Sequence, residues 1–133
     1  MAFLVTQTSK FHAVLLAAGA LVILAAAAQA AGDPVKGAVV FKQCAACHNI
    51  EKGGGNGSLG PNLFGVAGRN AASAPNFAYS APFKSSGIVW TDDKLKAWVL
   101  SPQKMVPGTK MLLIHPLDDE QADDVVAYLN TKK

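Results

Sequence analysis

Apolar positions fall at helical spacing in three stretches of this chain, and polar residues mark where each stretch begins and ends. The first opens at Asp33, a side chain suited to capping a helix, has Pro34 in its first turn, and runs through Val39, Val40 and Phe41. The second opens at Thr91, carries Asp92 and Asp93 at the positive end of the helix dipole, and places Leu95, Trp98 and Val99 on one stripe before Pro102 ends it. The third begins at Asp118 with Gln121 in capping-box spacing, aligns Ala122, Val125, Tyr128 and Leu129, and ends in Lys132 and Lys133. A shorter helix is expected from Ser80 as N-cap, through Pro82 and Lys84, to Gly87 as its stop. No internal repeat and no alternating strand pattern is present. The expectation is an all-α domain of three main helices plus short ones, joined by long loops.

The N-terminal pattern is different. Lys10 and His12 precede a 16-residue run, Ala13 to Ala28, with no charged or polar side chain, and Ala28-Gln29-Ala30 follows it. This is the pattern of a secretory signal peptide with a small-residue cleavage site. A retained anchor is the competing reading, but the run falls short of the ~20 apolar residues that span a bilayer. The expected organisation is therefore a cleaved signal over residues 1–30 and one domain over residues 31–133, exported to the periplasm. Lys10 is the only charged side chain removed, so the formal charge falls from +3 to +2. A domain this small is marginal by core size alone, and a large buried cofactor would help it fold. The sequence pI near 9.0 reflects scattered lysines, which argues against a nucleic-acid partner.

The chemistry is concentrated in Cys44-Ala45-Ala46-Cys47-His48. Cys-x-x-Cys-His is the spacing at which a chain is joined covalently to haem: two thiols on one side of a helical turn each form a thioether, and the adjacent imidazole faces the iron as proximal ligand. Two rivals share the residues. A thiol-disulfide exchange site would follow a strand, and none is evident here. A zinc site would need Cys44, Cys47 and His48 to be joined by the distant His115, a spacing that matches no compact finger. On the other side of the iron, Met105 and Met111 compete as ligand, with His115 and Lys110 weaker candidates. Met111 ends Pro107-Gly-Thr-Lys-Met, where a turn can hold a flexible thioether in one place. The glycine-rich run from Lys52 to Gly60 lacks the Lys-Ser/Thr of a phosphate-binding loop and reads as a loop.

Beyond Cys-x-x-Cys-His, the run Gly60-Pro-Asn-Leu-Phe-Gly-Val-Ala-Gly-Arg69, Tyr79, Gly87-Ile-Val-Trp90 and the segment Ser101 to Met111 follow one another in a familiar order. Residues 31–133 thereby resemble a class I c-type cytochrome, of the soluble bacterial group similar to mitochondrial cytochrome c. The resemblance implies the cytochrome c fold wrapped around one haem c, with Met111 as distal axial ligand opposite His48 and Met105 as a neighbouring non-ligand. It implies that the Pro61 carbonyl orients His48, and that Arg69, Tyr79 and Trp90 hold the haem propionates. Trp98 stands where the family usually has a Tyr near the Met sulfur. Gly37, Phe41 and Tyr128 would form the crossing of the first and last helices.

By the same resemblance the protein is an electron carrier and not an enzyme. It would be a monomer shuttling one electron from a quinol:cytochrome c reductase to an oxidase or a photosynthetic reaction centre, docking transiently on membrane complexes. A small haem peroxidase, or a haem-based sensor with a labile distal Met, is the alternative. Gln43, Gln103 and Leu117 stand where mitochondrial relatives commonly carry Lys, and Phe83 replaces a polar residue of a buried network. The acidic residues Asp118, Asp119, Glu120, Asp123 and Asp124 gather on the last helix, leaving Lys42, Lys84, Lys104 and Lys110 relatively unopposed.

Overall fold

A computed structural model describes residues 32–133; the expected signal over residues 1–30 lies outside them. The chain forms α1 (Pro34–Cys44), α2 (Ala81–Lys84), α3 (Asp92–Leu100), α4 (Pro102–Met105) and α5 (Asp119–Asn130), in that order. Among the described residues the only β pairing is an isolated antiparallel bridge between Asn70 and Val89. The three longest helices are those the apolar periodicity predicts.

Each long helix starts where its cap does. The Asp33 carboxylate accepts from Val35 N–H at 2.8 Å, and Thr91 Oγ1 accepts from Lys94 N–H at 3.3 Å. Asp118 and Gln121 form the expected reciprocal box at 2.8 and 3.1 Å. Two details differ from expectation. Ser80 precedes α2 but makes no capping hydrogen bond, and α2 stops at Lys84 rather than reaching Gly87. Pro102 ends α3 as expected, yet it also opens α4, since a proline needs no N–H partner in a first turn.

The frame is the crossing of α1 and α5. At Gly37 the two helices approach so closely that a Cβ would overlap the Asp124 carbonyl and lie 2.8 Å from Tyr128 Cβ. Four residues on, Phe41 meets Tyr128 with ring centroids 5.2 Å apart, tilted by 50°. Asp33 N–H closes the corner by donating to the buried Asp124 carboxylate at 2.6 Å. α3 packs against α5 and buries Leu95, Trp98 and Val99, the stripe read from the sequence. Val125, 1% exposed, and Leu129 join Phe41, Leu95 and Trp98 in one apolar cluster. Burying each such side chain is worth about 1.5–3 kcal/mol.

Candidate functional site

The helix α1 ends at Cys44, but its hydrogen bonding carries one turn further: His48 N–H donates to the Cys44 carbonyl at 2.9 Å. That turn keeps Cys44, Cys47 and His48 on one side of the chain, and all three line a cavity of about 530 Å³. A cavity of this size, bounded mostly by apolar side chains, is suited to a large organic cofactor. Its wall also includes Phe41, Leu63, Val66, Phe83, Leu95, Val99, Val125 and Leu129, so the core and the cavity lining are largely one set of residues.

The loop after α1 holds His48 from two directions. Nδ1 lies 2.8 Å from the Pro61 carbonyl, which fixes that nitrogen as the N–H donor and leaves Nε2 with a free lone pair. Burial pushes the His48 pKa down more than the Pro61 hydrogen bond raises it, so the ring is neutral and able to ligate. Gly60 lies flat against the imidazole; a Cβ there would stand 2.5 Å from Nδ1 and 2.8 Å from Nε2. The same loop is tied to the motif by Gly60 N–H donating to the Cys47 carbonyl at 3.0 Å. Gly60, the last residue of a run that reads by composition as a loop, thus supplies a contact surface for the ring.

Burial acts on Cys44 as well, pushing its thiol up to about 11. A thiol-disulfide exchange site requires a stabilised thiolate, so this cysteine is set up against that chemistry. Among the described residues no three His, Cys, Asp or Glu side chains gather as a metal-binding group, which leaves the zinc alternative without a ligand set.

Of the two candidate methionines, Met111 lines the cavity and Met105 does not. His115 and Cys44 do not meet in a shared site, and His115 is exposed. Trp98 Nε1–H donates to Met111 Sδ at 2.9 Å. The sequence records a missing tyrosine hydroxyl at this position, whereas the indole supplies a donor to the same sulfur. Around it Trp98 packs on Phe83 and Trp90 at 5.1 and 5.4 Å, and Tyr79 stacks on Phe83 at 5.3 Å. Phe83, in place of a polar residue, makes this wall aromatic throughout.

Arg69, Tyr79 and Trp90 all line the cavity. Two Arg69 nitrogens are already used, donating to the Phe64 and Asn62 carbonyls at 3.0 and 2.9 Å, while its Nε is buried with no partner. The Ser80 hydroxyl is buried and unpartnered too, and it lines the same cavity. Tyr79 Oη accepts from Ala74 N–H at 3.2 Å, which leaves its own proton to donate. Unpartnered buried donors are costly, and these fit the carboxylates of a haem. From sequence Ser80 reads as a helix cap and Thr109, a buried residue of the cavity wall, carries no signal, because neither belongs to a periodic pattern that would reveal its place here.

Comparison with known proteins places the chain in a family. Residues 34–133 match the family model described as cytochrome c. The chain is 47% identical over 103 residues to cytochrome c2 of Rhodoblastus acidophilus, covering 77% of this chain and 95% of that one. It is 40% identical over 116 residues to cytochrome c-554 of Methylosinus trichosporium, covering 87% of each. Among solved structures it is similar to cytochrome cH from Methylobacterium extorquens, at 44% identity and a TM-score of 0.69, covering 76% of this chain and all of that one. The chain therefore belongs to the cytochrome c family, as a class I c-type cytochrome with covalently bound haem c that carries electrons rather than catalysing a reaction.

Proposed function

We propose that the protein is a periplasmic one-electron shuttle in which Cys44 and Cys47 form the haem thioethers and His48 and Met111 are the axial ligands. The observation that carries this reading is one cavity wall that unites Cys44, Cys47, His48 and Met111. Bound haem supplies a ferrous/ferric couple, and thioether ligation favours the ferrous state. Pro61 and Gly60 set the angle of His48, Trp98 donates to the Met111 sulfur, and Arg69, Ser80, Tyr79 and Trp90 serve the propionates.

Residues 1–30 act as a cleaved signal for export, and residues 31–133 are the mature domain. The donor is a quinol:cytochrome c reductase and the acceptor an oxidase or a photosynthetic reaction centre, each met in a transient complex. Docking uses the cavity rim, where Leu59, Leu112 and Ile114 are 77%, 75% and 57% exposed. An apolar rim with few charges makes the encounter less dependent on steering. The rate of electron transfer should therefore fall only gently as salt is raised, and a steep fall would count against this face.

The ligation is tested by replacing Met111 with Ala in the purified holoprotein. The expected result is loss of the low-spin ferric spectrum and rapid binding of carbon monoxide by the ferrous form. An unchanged ferric spectrum, or ready carbon monoxide binding by the unmodified protein, would replace closed ligation with the peroxidase or sensor reading.

A further inference from the structure

From Thr109 to Leu117 the chain runs along the cavity without helix or strand, and Met111 is within this segment. Both ends are fixed. Thr109 is buried and its carbonyl accepts from Gln103 Nε2 at 2.6 Å, and Leu117 is buried in the apolar cluster. Between them, no backbone-to-backbone hydrogen bond among the described residues ties positions 110–116 to the rest of the molecule. Three side chains do so instead, the first being Thr109, whose Oγ1 accepts from Met111 N–H at 3.4 Å. Trp98 holds Met111 Sδ from inside, and on the other side Gln43 Oε1 accepts from His115 N–H at 3.2 Å.

Gln43 directly precedes Cys44, lines the cavity and sits at the end of α1. Its hydrogen bond spans 72 positions of sequence and joins the helix that ends at Cys44 to the segment that bears Met111. We infer that Gln43 is a positioning residue: its amide oxygen clasps the Met111 segment to α1 and limits how often Met111 leaves the haem iron. The inference rests on Met111 being the distal ligand. The role needs an acceptor, because the group it holds is a backbone N–H. A lysine at 43 has donors only and cannot make this bond, whereas a glutamate can.

The experiment is ferric holoprotein mixed rapidly with imidazole at rising concentration. At saturation the binding rate levels off at the rate at which Met111 departs. One net hydrogen bond corresponds to a change of about two- to tenfold in that plateau. Gln43→Ala should raise the plateau by that factor while keeping the resting His/Met spectrum. Gln43→Glu should restore the wild-type plateau, and Gln43→Lys should behave as Gln43→Ala does. An unchanged plateau in Gln43→Ala, or rescue by Lys as complete as by Glu, would overturn the clasp. Failure of the underlying ligation is seen separately, as an unaltered ferric spectrum in Met111→Ala.

Discussion

The α1–α5 crossing and the Met111 segment face the same cavity, but they are held by different forces. The crossing is a backbone approach locked by Gly37, by the Phe41–Tyr128 ring pair and by caps at both helix starts. The Met111 segment has no periodic backbone bonding and depends on Gln103, Thr109, Trp98 and Gln43. Packing of the first kind is cooperative and costly to disturb. Side-chain bonds of the second kind are replaceable by water one at a time. On the proposed ligation, His48 follows directly on the helix held by packing, and Met111 lies in the segment held by separate side-chain bonds.

The largest expected effect breaks the rigid half. Gly37→Ala forces a methyl group onto the Asp124 carbonyl, and backbone cannot yield as a side-chain tip does. Overpacking of this kind costs about 2–3 kcal/mol. Urea unfolding of the holoprotein should register it as a lower midpoint; a loss below ~1 kcal/mol would mean the helices separate freely.

Next in size is a change confined to the distal half. Trp98→Phe keeps an aromatic ring against Phe83 and Trp90 but removes the donor to Met111 Sδ. That donor draws electron density from the thioether and so favours the ferrous state. A hydrogen bond worth ~1 kcal/mol, expressed wholly in one redox state, is equivalent to roughly 40 mV for one electron. The reduction potential should fall by up to roughly that amount. A potential that rises, or stays fixed, would show that the indole serves only to fill space.

The same division explains what was legible in the sequence. The two helices could be read because their parts repeat: Asp33 and Asp118 sit at cap positions, and Val125, Tyr128 and Leu129 fall on one stripe, whereas their crossing at Gly37 was implied only by the resemblance. Cys44, Cys47 and His48 were legible because covalent attachment demands a fixed spacing. Met111 was narrowed to one of two methionines by its turn and singled out only by resemblance. Ser80, Thr109 and the Gln43–His115 tie carried no such signal. Each is defined by a partner or a wall far away in sequence, and a single polar residue in a loop has no period. By resemblance Trp98 stands in place of a tyrosine, and its N–H can be credited as a donor only with Met111 seen beside it.

A smaller effect lies in the cavity wall between the two halves. Ala72 lines the cavity with φ 58°, a left-handed conformation that costs an L-residue about 1–2 kcal/mol. Glycine removes that cost but loses more chain entropy on folding, about 0.5–1 kcal/mol. Ala72→Gly should therefore stabilise the protein by roughly 0.5–1 kcal/mol. Destabilisation in the same urea titration would mean that the methyl group packs against the core strongly enough to outweigh the strain.

The smallest expected effect separates packing from charge in the rigid half. Lys36 on α1 pairs with Glu120 on α5 at 2.9 Å, and Lys96 on α3 pairs with Asp123 on α5 at 2.9 Å, so ion pairs join α5 to both of the helices packed on it. The side-chain hydrogen bonds that the two lysines donate to Glu120 and Asp123 raise both lysine pKa values from the ordinary 10.5. A raised lysine contributes its stability in full below the unfolded value and loses it as pH climbs through the folded one. Whatever these pairs add should therefore hold constant from neutral pH upward and fade only above about 10.5. Both lysines reach into solvent, where water and salt screen the attraction. Lys36→Ala should consequently leave the unfolding midpoint at neutral pH within error of wild type. A clear drop would make charge, rather than the close approach at Gly37, a principal tie between α1 and α5.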